Sequence, residues 1–245
     1  MARENLVSKK IYKKHLAFYR HINDSWIFID LVRPYLKKRG KRLIDSPSNA
    51  KKPYLTPKKG GWVTNKRQDK YIGEIYKKQH NRGLYETNIV SIVSHFEAFI
   101  QDCVSIAACA YPDKLKLLSY KTGVPVDLLL ENENREDLIQ RFVALKCDQL
   151  MFSKPKDYLE RASKVLSIVL ERESISAFIE IKATRDIIVH GGGIASKVYL
   201  EKAGNQARAG LGDELPIDRN YFINVVRNLK KISGEIQRKT EDKYK

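Results

Sequence analysis

The run Ile89-Val90-Ser91-Ile92-Val93-Ser94-His95-Phe96-Glu97-Ala98-Phe99-Ile100-Gln101-Asp102-Cys103-Val104-Ser105-Ile106 spaces its apolar residues at the three- and four-residue steps of an α-helix. Ile89, Val90, Ile92, Val93, Phe96, Phe99, Ile100, Val104 and Ile106 form one broad stripe within helical spacing that extends from about Asp69 to Tyr111. Proline lacks a backbone N–H and crowds the turn before it, so Pro112 ends the pattern. A long core helix is predicted.

Downstream, the same spacing predicts three more helices. They cover 136–151 with Leu138, Phe142, Leu145 and Leu150 inward, 156 to about 170, and 174–190 with Phe178, Ile181 and Ile188 on one side. Gly123-Val124-Pro125-Val126-Asp127 follows a short helical turn, and Glu131-Asn132-Glu133-Asn134 reads as a loop. Val198-Tyr199-Leu200 is a short piece before a polar loop over 204–215. Asp218 is placed to cap a last helix carrying Tyr221, Phe222, Val225, Val226, Leu229 and Ile232, which frays into a charged tail over 238–245. No repeat of about 20–50 residues is present, which excludes a solenoid.

Upstream, 6–38 reads as two helices, the second starting at Asp24-Ser25. From 37 to 61 the composition shifts to Lys, Arg, Pro, Ser and Gly, including Asp45-Ser46-Pro47-Ser48 and Thr56-Pro57-Lys58-Lys59-Gly60-Gly61. That reads as a loop or linker. The expected organisation is all-α, with a basic N-terminal helical extension and linker over 1–65 and a helical bundle over 66–245.

The formal net charge of +17 is concentrated at the front. Residues 1–80 carry 21 Lys and Arg against 6 Asp and Glu, while 81–245 carry 25 against 23. A basic block beside a near-neutral body points to a polyanionic partner whose affinity falls with salt, or to a solvated basic face without a ligand. Nucleic acid is the expected partner. Tyr12, Tyr19, Tyr35, Tyr54, Trp62, Tyr71 and Tyr76 interleave with these cations. Helical aromatics bury in cores, which leaves Tyr54 and Trp62, in the linker, for stacking on unpaired bases. With them, Lys51, Lys52, Lys58, Lys59, Lys66 and Arg67 form the expected RNA-binding set.

No run of about 18 apolar residues argues for a membrane span, and the N-terminus lacks the apolar segment of a secretion signal. A cytoplasmic protein without a membrane partner is expected. Cys103, Cys109 and Cys147 match neither a disulfide framework nor a zinc site and read as small apolar fillers. His15, His21 and His80 lack the spacing of metal ligands, so no metal is expected. Gly191-Gly192-Gly193 lacks the strand, Lys and Ser/Thr of a phosphate loop, and no cofactor is expected either.

The chemistry lies in Arg185-Asp186-Ile187-Ile188-Val189-His190, just before the three glycines. A guanidinium holds a phosphate with a planar fork of donors, and an imidazole moves protons near neutral pH. Attack by a ribose 2′-hydroxyl needs a base, an acid and a cation, which these two residue types supply without a metal. On an unbroken helix a five-residue step rotates by about 140°, so the pair would point apart. Glycine reaches left-handed backbone and is expected to let His190 swing toward Arg185. One His begins only one of two proton transfers, so two copies meeting across a two-fold interface are expected. The same residues also describe an ordinary capped helix, with His190 on the negative end of its dipole.

Arg-Asp-Ile-Ile-Val-His-Gly-Gly-Gly-Ile, with Glu180 upstream and Val198-Tyr199-Leu200 downstream, resembles the R-x4-H segment of the HEPN superfamily, especially its stand-alone ribonuclease-like branch (RiboL-PSP). Ser94-His95-Phe96-Glu97-Ala98-Phe99 is similar to the family's first core helix, which brings an acidic residue toward the site. The likeness covers about residues 82–241 and leaves out the basic front. It implies an all-helical HEPN-like bundle, a homodimer with facing motifs, and metal-independent endoribonuclease activity of the kind found in toxin–antitoxin, anti-phage and RNA-processing systems. Carried over, Arg185 matches the phosphate-contacting arginine and His190 the catalytic histidine. Asp186 matches the polar position beside the arginine, where Asn is frequent and an acid would repel phosphate unless it orients Arg185 or the partner's His190. Glu97 matches the acidic residue. An antitoxin or other regulatory protein is a further implied partner. Inactive family members keep a second reading open, a non-catalytic protein that binds nucleic acid or a partner protein.

Overall fold

In the computed structural model, which describes residues 2–118, 134–151 and 153–245, the apolar run becomes the central helix of a mostly helical protein. Its elements are α1 (Ala2–Asp45), a hairpin of β1 (Lys52–Lys58) and β2 (Gly61–Arg67), α2 (Asp69–Lys78), α3 (Leu84–Ala110), α4 (Arg135–Met151), α5 (Pro155–Leu166), α6 (Arg172–His190), α7 (Lys197–Ala203) and α8 (Arg219–Lys243). A π-helical turn, Gln79–Gly83, joins α2 to α3, and a 3₁₀ segment, Pro112–Leu118, follows Tyr111. The expected turn at Gly123–Asp127 and the loop at 131–133 lie outside the described residues.

Helix α3 is surrounded by α1, α4, α5, α6 and α8. Ile89, Ile92, Val93, Phe96, Ile100 and Val104 are fully buried, as the stripe predicts. By length and composition Asp69–Ala110 would also suffice to cross a membrane, and half of its most apolar stretch is buried within the bundle. On α4 the inward residues are Val143, Cys147 and Leu150, while Leu138, Phe142 and Leu145 are only half-buried. The expected face is rotated because 143, 147 and 150 also follow helical steps.

Three local expectations change. The front is one helix, running through Asp24-Ser25 and Pro34 to Asp45. Val7, Ile11, Phe18, Ile22 and Ile29 of α1 join the same core as α3 and α8, and this packing outweighs the local start signal and the lost proline bond. The stretch read as a linker contains an antiparallel hairpin, with Lys52 opposite Arg67, Thr56 opposite Val63 and Lys58 opposite Gly61. Gly60 supplies the left-handed backbone of its turn, at φ +80°. The C-terminal tail does not fray: α8 continues to Lys243, and Tyr244 stacks on Tyr111 and donates to the Leu166 carbonyl at 3.1 Å. The boundary expected near residue 65 falls where β2 leads into α2, and the helices on its two sides share one core.

The start of α8 matches its sequence signal. Asp218 accepts from the Tyr221 N–H at 2.8 Å, satisfying one of the donors that a helix leaves free at its start.

Candidate functional site

Helix α6 carries the arginine, the aspartate and the histidine, and α3 brings Glu97 against it. Glu97 sits in the core at 4% exposure, where an unpaired carboxylate would be costly. It accepts from Lys182 Nζ through one oxygen and from Arg185 Nη2 at 2.5 Å through the other. Arg185 Nη1 lies 3.2 Å from Asp186, whose other oxygen accepts from Lys202 of α7 at 2.9 Å. Lys182, Glu97, Arg185, Asp186 and Lys202 therefore form a chain of alternating charge with a net charge of one positive. The acidic group beside the arginine is compensated on both sides. Arg185 Nε is buried without a hydrogen-bond partner among the described residues.

His190 stands apart. It is the last residue of α6 and exposed, and its imidazole has no hydrogen bond or ion pair among the described residues. The left-handed glycines expected to redirect it lie beyond it: φ is −118° at Gly191, +59° at Gly192 and +82° at Gly193. The helix runs through His190, so the 140° rotation of about five residues applies and the two side chains leave opposite sides of α6. Arg185, Asp186 and Glu97 come together within one chain. His190 does not join them.

What the glycines do is reverse the chain. The Gly191 and Gly193 N–H groups both donate to the Ile187 carbonyl, at 2.9 and 3.1 Å, which closes the end of α6. Gly193 O then accepts from Leu215, and Ala195 exchanges bonds with Gly212 and Asp213. Arg82, on the π-helical turn before α3, donates to Glu86 at 2.6 Å and to the Leu215 carbonyl at 2.9 Å, and pairs with Glu214 at 2.6 Å. A Cβ on Gly193 would lie 2.1 Å from its Nη2. The turn after His190 is thus held by a residue more than a hundred positions upstream.

A second buried network steadies the other side of α6. Glu180 accepts from Thr184 and from Arg208 Nε, each at 2.7 Å, and from the Tyr221 hydroxyl at 2.9 Å. The Arg208 guanidinium lies 3.4 Å from the centre of the Tyr221 ring. Burial, with Glu180 beside it, pushes the Tyr221 phenol far up, so it stays a hydrogen-bond donor. Lys182, Arg82 and Arg208 escaped the sequence reading. Lys182 had a signal, since it lies three residues from Arg185 on one helical face. Arg82 and Arg208 had none, because their partners are distant in the chain.

The eight front residues divide by role. Lys52 Nζ donates to both oxygens of Asp69, at 2.8 and 2.9 Å, and ties the foot of the hairpin to α2. Arg67 lies over the Tyr71 ring at 5.4 Å. Lys51, Tyr54, Lys58, Lys59, Trp62 and Lys66 are exposed. His95 is exposed and stacks on His21 of α1 with ring centres 3.5 Å apart. Cys103 and Cys147 are buried and Cys109 is exposed. Among the described residues no group of three or more His, Cys, Asp or Glu side chains is arranged to hold a metal ion. No protein-family model, curated protein or solved structure matches this chain.

Proposed function

We propose that this chain is a metal-independent endoribonuclease with a HEPN-like bundle, acting as a cytoplasmic homodimer. The observation that carries the reading is the braced arginine: Arg185 is held by Glu97 and Asp186 on the helix that presents His190, exposed and unpartnered, at its end. Because the two side chains diverge by about 140°, the complete site needs a second copy, with two Arg185 and two His190 around one phosphodiester. One His190 takes the 2′-hydroxyl proton, the 2′-oxygen attacks phosphorus, and the bond to the 5′-oxygen breaks. The partner's His190 returns a proton to that 5′-oxygen, leaving a 2′,3′-cyclic phosphate and a 5′-hydroxyl. Arg185 stabilises the phosphoryl charge and Asp186 orients it. A toxin or anti-phage effector of this kind would work under an antitoxin or other regulator.

The test is RNA cleavage in EDTA by the wild type, Arg185→Ala and His190→Ala, with product ends identified and oligomeric state measured. Cyclic-phosphate ends from a dimeric wild type and no cutting by either variant are expected. Undiminished cutting by His190→Ala refutes the assignment.

One observation favours a second reading, non-catalytic binding of nucleic acid. The Arg185 fork is already engaged by two carboxylates, while the basic hairpin faces solvent. That reading predicts full affinity for nucleic acid after Arg185→Ala and no product at any concentration.

A further inference from the structure

We propose that the β1–β2 hairpin is an arm that captures single-stranded RNA, with Trp62 stacking on a base and Lys66, on the same face, and Lys59, in the turn, meeting phosphates. The choice of RNA over DNA rests on the nuclease reading above; the capture of a single strand does not.

The two strands pack chiefly on one another and are fastened to the body at their foot by Lys52 and Ser48, both donating to Asp69. Side chains alternate between faces along a strand, and opposed residues share a face. The register therefore puts Trp62 opposite Pro57 on one face, with Leu55 and Lys66, and Tyr54 opposite Asn65 on the other. The two aromatics expected to stack on bases project to opposite sides. The Tyr54 face is partly used: Lys52 is bound to Asp69, Arg67 lies over Tyr71, and Asn65 donates to Thr56. The Trp62 face is free, with Trp62 at 65% and Leu55 at 69% exposure.

Charge and chemistry choose the occupant. Residues 46–68 hold six Lys and Arg and no Asp or Glu, which suits a polyanion and repels a second basic copy of this chain. Besides Trp62, the free face offers one hydroxyl, Thr64, and one ammonium, Lys66, too few paired donors and acceptors to read base edges in a groove. A two-stranded ribbon also does not fit the deep, narrow major groove of duplex RNA. An indole flanked by cations suits an unpaired base and its phosphates.

The full chain carrying His190→Ala, so that RNA survives, is titrated with a labelled uridine oligonucleotide and with a duplex of equal length. The chain has two tryptophans, and Trp26 is half-buried against Phe222, so Trp26→Phe leaves Trp62 as the sole reporter. Quenching of its fluorescence by the single strand is expected, with Trp62→Ala weakening binding by about ten-fold. Lys59→Ala with Lys66→Ala should lower the slope of log affinity against log salt by about 1.4. Preference for the duplex, absence of quenching, or affinity unchanged by Trp62→Ala overturns the proposal, the last assigning the face to a protein partner. RNA that binds this way but is never cut by the wild type sinks the nuclease reading and leaves the arm standing.

Discussion

Replacing Glu97 by alanine should be among the most damaging single changes in this protein. It removes the carboxylate that compensates two cations at once, and both are confined: the Lys182 side chain is 10% exposed and that of Arg185 19%. Breaking a buried ion pair by deleting one partner costs about 3–5 kcal/mol, because an uncompensated charge remains. Arg185 keeps Asp186, whereas Lys182 has no second carboxylate in contact among the described residues, which places the expected loss at about 3 kcal/mol. For a chain of this size that corresponds to a fall of about 6–12 °C in Tm. The assay is urea unfolding at neutral pH, followed by circular dichroism, of Glu97→Ala, Lys182→Met and the double variant. Removing the stranded ammonium along with its partner should recover at least about 1 kcal/mol relative to the sum of the single changes. A Glu97→Ala cost below about 1 kcal/mol, or strict additivity in the cycle, would refute the view that the buried chain of charge organises this region.

Gly193→Ala should destabilise more than Gly192→Ala. Both need left-handed backbone, but a Cβ at 192 meets open space while one at 193 collides with the Arg82 guanidinium, and equal losses in thermal melts would contradict the clamp. Acidification should loosen the packing of α1. Burial lowers the pKa of His15 and His21, with Arg238 adding to it at His15, and with His95 adding and Asp24 opposing at His21. The unfolded chain therefore takes up these protons first, and stability present above pH 6.5 is lost as pH falls below it. Tm should drop between about pH 7 and pH 5, and less so in His21→Gln; a wild-type Tm that holds or rises over that range disproves it. Of the three thiols, Cys109 alone should react promptly with a disulfide reagent in the native protein. Burial pushes Cys103 well up and Cys147 to about 12, so two or three fast thiols would show that the interior between α3 and α4 is open.

Helices whose apolar residues repeat over several turns were legible in the chain, because periodicity is written in neighbouring residues. Ile89 to Val104 announced the central helix, and Asp218 marked the start of α8. The hairpin was obscured by its own composition. Pro53, Pro57 and the flanking lysines read as a linker, although Tyr54-Leu55-Thr56 and Trp62-Val63-Thr64 around Lys59-Gly60 held a strand–turn–strand signal. Proline is tolerated there because both strands of a two-stranded sheet are edges. Within the candidate site, Arg185, Asp186 and His190 were visible as one segment, and Glu97 entered through a resemblance.

The amino-acid order alone determined the helical character, the concentration of positive charge at the front and the spacing of Arg185 from His190. Only the tertiary structure decided that Glu97 and Lys182 meet Arg185, that Arg82 holds the turn after His190, and that α1 belongs to the common core. Local steps along a chain set which face a side chain leaves from. Which distant group compensates its charge depends on how helices far apart in sequence are brought together, and no local pattern encodes that.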